Sequence, residues 1–213
     1  MMQAEIAVLR FGLGARAGDL AAAADHPHAW LMSQIRGLVP LAVNSPLAPS
    51  DQIFASLLAA RDERQKMKQA SSAESPDAKV LFNAIREAYQ PHYRAQVLAR
   101  AQSAALTTRP FAERLVHFWA NHFAVSADKG VVFGLAGTLE NEAIRPHVAG
   151  RFVDLLTAVE QHPAMIAFLD NQYSVGGDST AARFAARIRR SPSANSASMK
   201  TWRARFSNCT PLE

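Results

Sequence analysis

The stretch ERLVHFWANHFAVS, residues 113–126, holds the densest group of side chains that could do chemistry. On a helix of 3.6 residues per turn, Leu115, Phe118, Trp119, His122 and Phe123 share one face. His122 therefore stands inside an apolar stripe. It is read either as a core histidine with its hydrogen bonds satisfied or as a ligand or general base at the floor of a pocket, and the first is the commoner arrangement for a buried polar group. His117 and His122 are five residues apart, about 140° around the helix, so they cannot chelate one metal as an i, i+4 pair does.

A second stretch, LENEAIRPH at 139–147, gathers Glu140, Glu142, Arg145 and His147. Glu142 and Arg145, at i and i+3, read as a surface ion pair contributing under about 1 kcal/mol. Asp170 and Asn171 close the apolar segment MIAFLDN, where helix-end capping accounts for them. His122, Arg145, His147 and Asp170 make up the candidate polar pocket. In RFGLGAR, 10–16, Arg10 and Arg16 flank two glycines and are candidate anion binders. The third glycine, the preceding strand and the downstream acid of a dinucleotide site are missing, so a helix-ending turn using glycine's positive φ is the favoured reading. No Ser-His-Asp order, paired-carboxylate spacing, P-loop or metal cluster stands out, and neither a metal nor a cofactor is expected.

The elements that must carry these residues read as helix after helix. Ile53, Phe54, Leu57 and Leu58 follow helical spacing after a cap at Ser50, with RDERQKMK as a solvated face and ASSAESPDA as a polar linker. Ala78, Leu81, Phe82, Ile85 and Tyr89 form the next stripe; Pro91 should kink or interrupt it before Tyr93, Val97, Leu98 and Ala101 resume. Pro110, and the prolines of His26-Pro27 and His162-Pro163, mark helix starts. Phe152, Leu155, Leu156 and Val159 give another clean stripe. GVVF at 130–133 is the one strand candidate. The expected fold is all-α: an irregular multi-helix domain, incomplete, with a disordered C-terminal tail.

At 213 residues, 49% of them hydrophobic, the chain can bury one substantial core. No apolar run approaches the roughly 20 residues of a membrane span, and no secretory signal is visible. One cysteine excludes an internal disulfide framework. These features favour a cytoplasmic protein by default and leave association with the cell envelope open. The net charge of +5 hints at nucleic acid, but its distribution removes the hint. From Ala182 onward seven basic residues face one acid, whereas residues 1–181 hold 16 basic and 17 acidic residues. The body is near neutral, and no nucleic-acid binding is expected from it.

Taken together, RFGLGAR, ERLVHFWANHFAVS, ENEAIRPHVAGRFVDLLTAVEQHPAMIAFLDN and the S-x-G that follows resemble the bacterial family known as domain of unknown function 1800, over roughly residues 4–180. The resemblance implies a mainly helical fold but no activity and no catalytic residues. It also implies a possible protein partner, from another uncharacterised family, number 1501, whose genes often lie beside those of this one. Such proteins continue with a helix reading approximately GLNENLARELLELHTLG. The codons of Asn195–Glu213 can be chosen so that a one-base shift spells LGLNENLAREILELHTLG. The expectation is therefore a slip between about 180 and 192, giving residues 1–181 as the family's helical part and 182–213 as a frameshifted, disordered tail. The coding DNA tests this directly.

Two functions follow from the residues. One is a truncated helical scaffold or interaction protein. The other is a fragment of a hydrolase-like enzyme with a pocket near His122. Polar groups converging on His122 would favour the enzyme; a histidine sealed by Phe118, Trp119 and other apolar side chains would favour the scaffold.

Overall fold

The computed structural model describes residues 2–43, 47–56, 58–59, 62, 78–177 and 179–189. They belong to two compact units, Met1–Asn171 and Gln172–Glu213. All regular structure among the described residues is helical, in agreement with the sequence pattern. RDERQKMK apart from Asp62, the linker up to Asp77, and the side chains of Leu57, Ala78, Leu81, Phe82 and Ile85 lie outside what is described.

The first unit begins with α1 (Met2–Phe11), α2 (Asp19–Ala23) and α3 (Pro27–Gln34). These three bury a small core of Ala4, Val8 and Ala23 against Trp30. Residues 50–56 are helical, and Ile53 is fully buried. Then come α4 (Ala78–Leu106), α5 (Pro110–His122) and the single turn α6 (Gly130–Phe133). A continuous helix, α7, spans 136–147 as Ala136–Thr138, a π-helical Leu139–Ile144, and Arg145–His147. The unit closes with α8 (Phe152–Glu160) and α9 (Pro163–Phe168). Its main core gathers Ile53, Tyr89, Val116, Leu135, Ile144, Leu155 and Val159.

Pro27, Pro110 and Pro163 each open a helix as expected, at a position whose missing N–H no helix bond needs. Three other expectations are corrected. Pro91 does not interrupt α4, which continues for 29 residues. It sits on the exposed face, while Tyr89, Gln96, Ala99 and Ser103 on the opposite face are buried, and that burial offsets the cost of one lost helix bond. The buried stripe of α4 is also rotated from the expected one. Val97 and Leu98 are exposed, and the polar Gln96 and Ser103 face inward. They do so because they serve stranded backbone: Gln96 donates to the Gly134 carbonyl and accepts from the Gly137 amide, both at 3.0 Å, and Ser103 accepts from the Ala42 amide at 3.0 Å. Finally, GVVF is a helical turn, not a strand. Phe133 stacks on Tyr93 at 4.5 Å there, and a Cβ on Gly134 or Gly137 would collide with Tyr89 or Gln96.

Helix ends in this unit are closed largely by distant basic side chains. Arg114 donates to the Gly12 carbonyl at 2.8 Å, beyond α1. Arg109 spreads its guanidinium over the carbonyls of Gln34, Arg36 and Leu38 after α3. Arg16 reaches the carbonyls of Ala104, Ala105 and Thr107 at the end of α4. Lys129 donates to Phe168 at the end of α9 and pairs with Asp170. Each places positive charge at the negative end of a helix dipole and satisfies carbonyls that have no partner within the helix.

The second unit contains α10 (Thr180–Arg189). It crosses the expected boundary at 181–182, so residues 182–189 are helical where a structureless tail was expected. Ala and Arg dominate TAARFAARIR, a composition that favours helix, and the Ser179 hydroxyl accepts from the Ala182 amide at 3.1 Å as a cap. Residues 190–213 lie outside those described.

Candidate functional site

The electrostatic centre of the first unit is a buried set of ions. Glu113 on α5 receives both terminal nitrogens of Arg145, at 2.8 and 2.6 Å. Arg145 also donates to Glu140 at 2.8 Å, and the other oxygen of Glu140 accepts from Arg100 Nε at 2.7 Å. The side chains of Glu113, Arg145 and Glu140 are 1%, 3% and 8% exposed, and that of Arg100 is 49% exposed. His117 lies 3.6 Å from Glu113. Burial alone would push the Glu113 carboxyl up. The hydrogen bonds and charges of Arg145 and His117 outweigh it and hold the group at about 2. For Arg145, burial lowers the pKa, but the two carboxylates raise it further above its ordinary range.

The π-helical turn explains the geometry. Pro146 cannot donate a helix bond, and its ring would clash with the carbonyl four residues back. The wider turn, in which Arg145 N–H donates to the Glu140 carbonyl, relieves that clash. Residues five apart then stack, so Glu140 faces Arg145. This corrects the expected Glu142–Arg145 surface pair. Arg145 is interior, and Glu142 turns away to accept from the Ser50 amide at 2.7 Å and the Ser50 hydroxyl at 2.6 Å. Glu142 also meets His162 Nε2 at 3.2 Å. His162 Nδ1 accepts from the Ala164 amide at 3.1 Å, capping α9 and leaving the proton on Nε2. Burial lowers the His162 pKa, against the opposing pull of Glu142.

An open cleft of about 300 Å³ lies beside Arg100 and Glu140, between α4, α7 and residues 120–125. Val97, Phe123, Val125, Leu139 and Ile144 supply much of its lining.

His122 is not in the core. α5 buries Ala112, Glu113 and Val116 most deeply; Leu115 and Trp119 pack half-buried at the edge of the main core, and Phe118 and His122 are exposed. The reason is Glu113: its pairing with Arg145 draws that face inward. The displaced rings form a cluster. Trp119 lies 5.2 Å from Phe118, 5.5 Å from His122, 5.7 Å from Phe123 and 5.6 Å from Phe152 of α8. Phe118 and Phe152 are 59% and 54% exposed.

The four pocket candidates are not brought together. His122 sits in the ring cluster, Arg145 in the ion set and Asp170 at the end of α9 with φ of 56°, bound to Lys129 at 2.7 Å. His147 closes α7 half-buried. No hydrogen bond or ion pair joins any two of them among the described residues. Of the anion candidates, Arg10 is exposed at the end of α1, whereas Arg16 is committed to the end of α4. The turn itself is as expected, with Gly14 at φ 114° after α1. The spacing does not single out Glu113 and Arg100, and it marks Ser50 and His162 only as residues of helix starts. For Glu113 a signal existed: it lies between Ala112 and Val116 on the face that follows Pro110.

Among the described residues, no group of three histidines, cysteines or acids is placed to hold a metal. No helix among them is long and apolar enough to cross a membrane. Neither a curated protein nor a solved structure matches the chain. The family described as protein of unknown function (DUF1800), however, matches residues 6–195, and the chain belongs to that family.

Proposed function

We propose that the helical body is an interaction protein that presents the Phe118–Trp119–His122–Phe123–Phe152 cluster to a protein partner. The observation that carries this reading is the exposure of Phe118 and Phe152 within one contiguous set of rings. Aromatic residues clustered at a surface are the usual anchors of protein interfaces. The hydrolase reading needed polar groups converging on His122. Instead, its neighbours are the rings of Phe118, Trp119 and Phe123, and it makes no hydrogen bond among the described residues.

The partner to test is the neighbouring-family (1501) protein that the resemblance suggested. Mixed with it on a sizing column, the wild-type chain should form a complex. The double variant F118D/F152D should weaken that complex at least about tenfold, since aromatic anchors of this kind are each worth about 2 kcal/mol or more. Its melting curve should stay unchanged, because both side chains are exposed. No complex with wild type, or equal binding by the variant, refutes the reading.

A further inference from the structure

The cleft beside Arg100 combines two features and shares one residue, Phe123, with the ring cluster. The first is a guanidinium held in place with its far edge unused. Arg100 is tied through Nε to Glu140, and Glu140 is itself fixed by Arg145, but no acceptor among the described residues meets the two terminal nitrogens of Arg100. The second is an apolar lining of Phe123, Val125, Leu139 and Ile144 in the same cleft, with Val97 exposed at its mouth.

We propose that this cleft binds a small organic carboxylate, with the carboxylate against the free edge of Arg100 and its hydrocarbon on the apolar lining. A planar pair of N–H groups matches the two oxygens of a carboxylate, and a guanidinium already immobilised by a second contact loses little freedom on binding. Glu140 does not repel the incoming anion. Both of its oxygens are engaged by arginines, and Glu113 and Glu140 are balanced in formal charge by Arg145 and Arg100. The Asn121 side chain, exposed on the rim, and the Tyr93 hydroxyl, without a partner among the described residues, offer further hydrogen bonds. A volume of about 300 Å³ suits a ligand of few heavy atoms with a short chain or one ring.

The test is ligand-observed NMR on the full chain with hexanoate and phenylacetate, using hexanol and inorganic phosphate as comparators. At least one carboxylate should bind saturably, with hexanol and phosphate each at least about tenfold weaker because each lacks one of the two features. Arg100→Lys keeps a charge beside Glu140 but removes the second edge, and should weaken the carboxylate about fivefold or more. Val97→Glu places a like charge at the mouth from an exposed position and should cost at least tenfold with the melting temperature unchanged. If Arg100→Lys loses its fold, Val97→Glu carries the test alone. Failure of both carboxylates to saturate, equal binding of hexanol or phosphate, or undiminished binding by Val97→Glu overturns the proposal.

Discussion

Replacing Arg145 by methionine should destabilise the protein by about 3–5 kcal/mol at pH 7, because it strands charges in the interior. The structure supports the figure independently. Glu113 is 1% exposed and its carboxyl lies at about 2 instead of 4.5, a shift equivalent to about 3 kcal/mol of interaction with the charged form. Arg145 supplies most of that interaction through two short hydrogen bonds. Glu140 would suffer less, since Arg100 still holds one of its oxygens. With a urea m-value of about 2 kcal/mol/M, the unfolding midpoint should fall by about 2 M. The deficit should shrink between pH 7 and pH 5, as the unpaired carboxylates take up protons in the variant but not in the wild type. The triple variant R145M/E113Q/E140Q carries no charge at these three positions and should recover most of the loss. Urea melts by circular dichroism at both pH values decide the matter. A deficit below about 1 kcal/mol, one independent of pH, or a triple variant no better than the single one refutes the electrostatic argument. Should the single variant not fold, the triple variant still tests it.

Other consequences are simpler to measure. The stability contributed by Glu113 is present above about 4.5 and should disappear as pH falls towards about 2, a loss of about 3 kcal/mol that Glu113→Gln should not show over that range. His162 has a lowered folded pKa, so its contribution is present above its ordinary 6.5 and should fall as pH drops below that value, a slope absent in His162→Asn. His162→Asn keeps an acceptor for the Ala164 amide and should cost less than His162→Ala, by about 1 kcal/mol in thermal melts. Arg16→Ala should cost about 1–2 kcal/mol and speed amide exchange in the last turn of α4 first; a uniform change across the protein would point away from a local cap.

Helix content and helix starts were legible in the residues, because proline at a first helical position and apolar spacing are local signals. Pro27, Pro110 and Pro163 show this. Which face turns inward was not legible for α4 and α5. Gln96, Ser103 and Glu113 are polar, and their burial depends on partners 32–61 positions away in the chain. The ion set was half legible: LENEAIRPH drew attention to Glu140 and Arg145, but the pairing follows from the π-helical turn before Pro146 and from a carboxylate on another helix. The glycine turn at 12–14 was legible, whereas the true role of Arg16 was not, since its carbonyl partners lie 88–91 residues further on.

Those distant basic caps impose an order on biosynthesis. Arg16 leaves the ribosome some 88–91 residues before the carbonyls it will hold, and the Gly12 carbonyl precedes Arg114 by 102 residues. At roughly 5–20 residues per second, the first three helices wait about 5–20 s for the partners that close them. Until α5 emerges, the end of α1 and the turn after α3 lack their arginines, and among the described residues the small cluster around Val8 and Trp30 is what packs the amino-terminal helices together. The carbonyls at the ends of α1 and α3 therefore have only water as a partner in the newborn chain, and the amino-terminal helices are latched late.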